Sequence, residues 1–341
     1  MTVDAPTPPP ATSSRRKRVL SGIRPTGALH VGNLLGALDS WVAMQDEYDC
    51  FFTIVDWHAL TTDYASPGAV RQNVSDMALD LLAAGISPDR STLFIQSDIK
   101  EHAELHLLLS MIVPLGWLLR VPTYKEQLRE LSGRDLETYG FLGYPVLQAA
   151  DILAYRADAV PVGEDQVAHL ELTREIVRRF NSIYGSVFPE PEAKLRAVAR
   201  LPGVDGRKMS KSYGNAIALA EDLSQARRRI ATMVTDPARK RRSDPGEPTA
   251  CPVFPFHKAL SSPEQIAWVE QGCRTAGIGC LECKSVMADN LVARLEPLQA
   301  RRREFAARPD TVRQILDEGA RRARDIAAGT LEEVRKAMGL A

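Results

Sequence analysis

The stretch RVLSGIRPTGALHVGNLLGALDSWVAM, residues 18–44, constrains the fold more than any other. Its first six residues form a short apolar run, and Leu34, Leu35, Leu38 and Val42 then recur at helical spacing. Between them, the loop RPTGALHVGN carries Thr26, Gly27, Gly32 and Asn33, residue types that let backbone N–H groups approach an anion closely. The alternation continues, with strands predicted at 49–56, 91–96 and 159–163 and a helix at 69–84. Strands separated by helices predict an α/β fold with a doubly wound parallel sheet and a ligand at the carboxyl ends of its strands. The loop is neither GxGxxG nor a Walker A sequence, which disfavours dinucleotide oxidoreductases and P-loop ATPases.

With 341 residues, the chain is long enough for one large domain and a smaller one. Lys plus Arg equals Asp plus Glu at 43 each, so no global field draws the protein to DNA or to a membrane. Basic residues cluster locally instead, at Arg227 to Arg242, at Arg301 to Arg303, and at Arg321, Arg322 and Arg324. Residues 1–18 are rich in Pro, Ser and Thr and turn basic, the composition of a disordered tail without the apolar core of a secretory signal. The longest apolar run, Leu105 to Leu119, is broken by His106, Pro114 and Gly116 and is too short to span a bilayer. A cytoplasmic protein with reduced cysteines is expected.

A second loop, DGRKMSKSYGN from Asp205 to Asn215, places Lys208 and Lys211 three positions apart between glycines. It carries little that is hydrophobic enough to anchor it, and two mobile ammonium groups suit a polyanion whose charge moves during reaction. Tyr144, Gln148 and Asp151 fall at i, i+4 and i+7, one face of a helix for which Pro145 is a suitable first residue. Asp151 lies among Ala149, Ala150, Ile152 and Leu153, where a carboxylate requires donors. Cys50 sits in the apolar run CFFTIVD and reads as a buried thiol. Cys251, Cys273, Cys280 and Cys283 give C-x21-C-x6-C-x2-C, a set able to hold structural zinc or an iron–sulfur cluster.

SGIRPTGALHVGN and KMSKS together resemble the two signature motifs of class I aminoacyl-tRNA synthetases, with Asn33 in place of the last histidine of the HIGH element. YPVLQAADILAY, VPVGEDQVAHLELTREIVRRFNSIYG and the C-terminal ILDEGARRARDIAAGTLEEVRKAMGL are similar to the bacterial tryptophanyl members, so the resemblance runs from residue 19 to 341. It implies activation of L-tryptophan by Mg-ATP and transfer to tRNA(Trp), by a homodimer. A Rossmann-like catalytic domain at 19–215 and a helical, anticodon-binding region at 216–341 are expected, the latter setting the basic clusters on tRNA phosphates.

Carried over by position, the resemblance assigns ATP to Arg24, Pro25, Thr26, Gly32, Asn33, Gly163, Glu164, Asp165, Leu201, Lys208, Met209, Ser210, Lys211 and Ser212. His30 is expected to donate to a phosphate, and Lys208 and Lys211 to follow charge onto pyrophosphate. Asp151 is expected to accept the indole N–H, with Tyr144, Gln148, Gln166 and His58 around the amino acid. The segment holding the four cysteines resembles that of the members with a [4Fe-4S] cluster, zinc being the alternative. Tyr-x3-Gln-x2-Asp also resembles the tyrosine-binding helix of tyrosyl-tRNA synthetases, the main alternative reading. A non-catalytic paralogue binding tryptophan or tRNA would be marked by a damaged loop, and neither loop is damaged.

Overall fold

The apolar run Arg18–Ile23 forms β1, the central strand of a five-stranded sheet in a computed structural model that describes residues 15–130, 135–163, 166–195, 201–210 and 213–341. β2 (Asp49–Ile54) and β3 (Ser91–Ile95) lie to one side of it, and β4 (Ala159–Val162) and β5 (Glu192–Leu195) to the other. The order is β3-β2-β1-β4-β5 and every pairing is parallel. Winding reverses between β1 and β4, so their carboxyl ends open a crevice at the topological switch point. β2 stops short of the expected Asp56 because Asp56 begins the helix Asp56–Asp63.

Alternate strand residues bury on opposite faces, as a doubly wound sheet requires. Val19, Phe52 and Leu93 join one apolar cluster with Leu34 and Leu38 of the helical segment 31–44 and Met77 and Leu81 of the helix Val70–Ala84. Leu20, Phe51 and Phe94 join the other with the helices Glu101–Ser110, Tyr139–Ala154 and Val167–Tyr184.

One expectation is corrected here. Pro145 is not the first helical residue: Thr138 caps Phe141 N at 3.2 Å and starts the helix at Tyr139, which leaves Pro145 in its interior. The C-terminal helices pack against the sheet. Met287, Leu291 and Leu295 of Cys280–Ala306 enter the first cluster, and Ala320, Ala323 and Ala327 of Pro309–Ala337 enter the second. The latter helix lies so close to β3 that a Cβ on Gly319 would meet the Leu93 carbonyl oxygen at 1.8 Å.

Candidate active site

The loop leaving β1 turns through Gly27, whose φ of 120° is accessible to glycine and strained for other residues. It ends in a reciprocal cap: His30 N donates to Asn33 Oδ1 at 3.0 Å and Asn33 N donates to His30 Nδ1 at 3.3 Å. Asn33, standing where the HIGH element ends in histidine, is therefore employed in helix initiation. Because Nδ1 accepts, the proton of a neutral His30 resides on Nε2, a donor of the kind a phosphate oxygen accepts from. The helical segment passes through a π turn at Leu34–Leu38 directly beneath this loop, a distortion frequent at functional sites.

The lysine-bearing loop folds onto the same place. Val31 N donates to Ile217 O and Leu219 N to Leu29 O, both at 2.9 Å, so residues 217–219 run antiparallel beside the first loop. The expectation of an unanchored loop is corrected by Met209, which is buried, and by Asn215, which is 2 % exposed. Asn215 Oδ1 accepts from Ser210 N at 2.8 Å, while Nδ2 donates to Asp205 Oδ1 at 2.7 Å and to Lys208 O at 3.1 Å. Leu201 packs in the core alongside Met209, and Lys208 projects from this fixed base into solvent. Lys211, Ser212, Glu164 and Asp165 lie outside the described residues.

A cavity of about 270 Å³ opens beside the carboxyl ends of β1 and β4. Tyr144, Gln148, Asp151, Gln166 and His58 all line it, together with Arg24 and His169. Asp151 is buried at its wall and held by three side chains. Gln96 Nε2 donates to Oδ1 at 2.8 Å and to Oδ2 at 2.9 Å, His58 Nε2 lies 2.9 Å from Oδ2, and His102 Nδ1 makes an ion-pair contact of 2.7 Å with Oδ1. The last is close but poorly aligned as a hydrogen bond, and His102 is itself held from behind by the Tyr155 hydroxyl. Burial opposes ionisation of Asp151, but His102 and then His58 outweigh it and hold the carboxyl well below the usual carboxylate range.

Gln96, His102, Tyr155 and His169 escaped the sequence reading. Gln96 ends an apolar strand and His102 opens a helix of ordinary spacing, so nothing local marks either as a partner of Asp151. His169 lies in VAHLELTREIV, where the helical period predicts only a buried position.

A family model described as tRNA synthetases class I (W and Y) matches residues 12–296. The chain belongs to this family. Tryptophan–tRNA ligase of Thermotoga maritima is 54 % identical over 325 residues, covering 95 % of this chain and 99 % of that protein. Tryptophanyl-tRNA synthetase from Campylobacter jejuni, solved with ADP and tryptophan, superposes with a TM-score of 0.84 at 33 % identity, covering 95 % of this chain and 100 % of that one. Tyrosyl-tRNA synthetase from Archaeoglobus fulgidus, at 20 % identity and a TM-score of 0.66, shares the fold.

Several arginines of the basic clusters are committed to the fold. Arg301 Nε donates to Ala83 O at 2.7 Å, Arg302 bonds Asp80 at 2.7 Å and Asp76 at 2.9 Å, and Arg324 bonds Asp98 O at 2.7 Å. Arg322 donates to Pro88 O, ahead of β3, and to Ser91 O at its start, and Arg321 pairs with Glu318. Setting these clusters on tRNA phosphates is thus corrected for Arg301, Arg302 and Arg322, whose guanidinium groups are part-buried on the chain's own acceptors. Arg228, Lys240, Arg241 and Arg242 remain exposed in the cluster at 227–242. No helix among the described residues is long and apolar enough to cross a membrane.

The four cysteines gather where the helix Pro263–Arg274 meets the start of Cys280–Ala306. Burial first, then the charges of Cys251, Cys273 and Cys280, pushes the Cys283 thiol up to about 12. Cys273 receives Arg239 at 3.9 Å, and the buried Lys284 donates to Ala231 O at 3.0 Å nearby. Among the described residues, no three His, Cys, Asp or Glu side chains close on a single metal ion. Cys50 is fully buried, and burial, reinforced by Asp49, pushes its thiol up to about 12.

Proposed function

We propose that this chain is a tryptophan–tRNA ligase, converting L-tryptophan and ATP to tryptophanyl adenylate and pyrophosphate and then transferring the tryptophanyl group to tRNA(Trp). The observation that carries the choice of amino acid is the 54 % identity, over nearly the whole of both chains, to a tryptophan–tRNA ligase. The cavity agrees chemically, because a buried carboxylate kept ionised suits a ring N–H donor and rejects ligands lacking one. Exchange of labelled pyrophosphate into ATP should depend on tryptophan. Preference for tyrosine in that assay, or exchange with no amino acid at all, would overturn the reading.

The chemistry needs no nucleophilic side chain. An oxygen of the tryptophan carboxylate attacks the α-phosphorus in line, the bond to the β-phosphate oxygen breaks, and pyrophosphate leaves with the electron pair. Arg24, Pro25, Thr26, Gly32, Asn33 and Gly163 border the nucleotide together with Glu164 and Asp165, and Leu201 and Met209 support it from the core. Lys208 and Lys211, with Ser210 and Ser212, stabilise the charge that builds on the leaving group. Mg2+ held by the ATP phosphates supplies further charge neutralisation when bound.

Cys251, Cys273, Cys280 and Cys283 would hold a [4Fe-4S] cluster that fastens the anticodon-binding region at 216–341. The four thiols lie near enough to act on one another's charge, and four thiolates are the ligand set such a cluster takes. Arg239 and Lys284 would balance its negative charge. Anaerobically purified protein should be brown, absorb at about 400 nm and hold about four irons per chain; colourless protein with one zinc would refute the cluster.

The exposed Arg228, Lys240, Arg241 and Arg242 are proposed to meet the phosphates of tRNA(Trp) in the cytoplasm. Leu107, Met111, Leu115 and Leu119 are large apolar side chains exposed within one stretch of chain, and they are proposed as a homodimer contact. Sedimentation of the wild type as a monomer at micromolar concentration would exclude that contact.

A further inference from the structure

His257 is fully buried in the short helix Phe254–Leu260, shortly after Cys251, and its ring bridges two neighbouring elements. Its Nε2 lies 3.3 Å from Cys283 Sγ, in the first turn of the helix Cys280–Ala306, and its Nδ1 lies 2.8 Å from Ser261 Oγ. Asn290, at i+7 from Cys283 and so on the same side of that helix, donates from Nδ2 to Ser261 Oγ and to Gln265 Oε1, both at 2.8 Å. Gln265 Oε1 also accepts from Ser262 N at 3.1 Å. We infer that His257 is a positioning residue for the metal centre proposed at the four cysteines, delivering an Nε2–H to the Cys283 sulfur in a direction set by Ser261 and Asn290. This rests on the cluster reading above.

The contacts run one way. A backbone N–H only donates, so Gln265 turns its oxygen to Ser262, and Asn290 must meet that oxygen with its NH2. The other hydrogen of the Asn290 amide goes to Ser261 Oγ, whose own hydrogen then has His257 Nδ1 as its acceptor. An imidazole that accepts at Nδ1 carries its proton at Nε2, facing the sulfur. A protonated imidazole would present the same N–H, so the outcome does not depend on the charge of His257. A metal-bound thiolate has lone pairs and no proton, and an N–H aimed at it is its complement. Such a bond draws electron density from the sulfur, which favours the reduced state of a cluster and holds the ligand in place. It also ties the segment that follows Cys251 to the helix that carries Cys280 and Cys283.

The test compares anaerobically purified full-length wild type with His257→Phe, which keeps a ring and removes both nitrogens, and with His257→Gln, whose amide NH2 can reach the same sulfur. Two quantities are measured: the midpoint potential of the cluster, followed by visible absorbance, and the rate at which a ferrous chelator strips its iron. His257→Phe should move the potential to more negative values and release iron about tenfold faster or more, and His257→Gln should restore much of both. Ser261→Ala, which frees the tautomer, should fall between wild type and His257→Phe. Tryptophan-dependent pyrophosphate exchange should be unchanged in every variant. An unaltered potential and release rate in His257→Phe, or equal damage in His257→Gln and His257→Phe, would overturn the assignment of His257. Should His257→Phe fail to fold, Ser261→Ala and wild type form the comparison, and equal values for the two would overturn it as well. Wild type without iron would instead overturn the cluster reading, and this role with it.

Discussion

Met209 Sδ stands 3.1 Å from the point that a Cβ on Gly32 would occupy, so the two signature loops meet across a residue without a side chain. The same Cβ would lie 3.0 Å from His30 Nδ1. Gly32→Ala should push these groups apart, costing about 1–3 kcal/mol of packing, and should raise KM for ATP in pyrophosphate exchange. Met209→Ala in the same chain should recover part of the loss. Wild-type ATP kinetics in Gly32→Ala would show that the contact does not matter.

Lys208 is exposed on a base held by Asn215, so its removal should leave folding intact. Lys208→Ala is expected to slow adenylation on the order of a hundredfold with tryptophan affinity unchanged, because its contact strengthens as charge reaches the pyrophosphate. Lys211→Ala should behave alike. Single-turnover adenylation at saturating tryptophan separates the two effects, and a pure loss of tryptophan affinity would contradict the role.

Asp151 yields a prediction about specificity and one about pH. Asp151→Asn places an NH2 against the donors of Gln96, His58 and His102, and should impair use of tryptophan more than use of its benzothienyl analogue, which has no ring N–H. Equal losses would count against an indole contact. The folded carboxyl titrates below its unfolded value, so its contribution to stability is fully present above the ordinary carboxylate pKa and is lost as pH falls through the folded one. Between pH 8 and 5, thermal unfolding of wild type relative to Asp151→Asn should therefore show no loss from this carboxylate. A difference that collapses within that range would assign the titration to another group.

Arg302 and the pair Arg241 and Arg242 should separate fold from tRNA binding. Arg302→Ala strands Asp80, whose carboxyl burial pushes up despite the opposing bond from Arg302. Breaking such a pair costs about 3 kcal/mol, so Tm should fall by several degrees, and KM for tRNA should not change. Replacing Arg241 and Arg242 together by Ala should weaken tRNA binding and flatten its salt dependence without moving Tm. The reverse pattern would restore the 301–303 cluster to the nucleic-acid surface.

The strands at 18–23, 91–95 and 159–162 and the helix at 70–84 were legible because each buries a run of apolar residues with one clear period. β5 was not, since EAKL at an edge carries no such run. At the site, Tyr144, Gln148 and Asp151 were legible because one helix carries all three, and helix geometry alone sets them on one face. Gln96 and His102 reach Asp151 from other elements, and such partners are fixed only when the chain is folded. Arg301, Arg302 and Arg322 misled for a related reason: a basic cluster reads the same whether its acceptors are phosphates or the chain's own carboxylates and carbonyls.

The seating of Gly319 against Leu93 has a consequence for how the protein is born. The strands of the sheet are all encoded before residue 196, yet the surface over β3 is closed by the helix Pro309–Ala337. At about 5–20 residues per second, a ribosome spends several seconds between releasing the last strand and releasing that helix. Throughout this interval the outer edge of β3 has no Arg322 on its carbonyls and the apolar face beneath Ala320, Ala323 and Ala327 is bare. Nascent chains would be at their stickiest then, and a chaperone that shields an open strand edge would have most to offer before the final helix emerges.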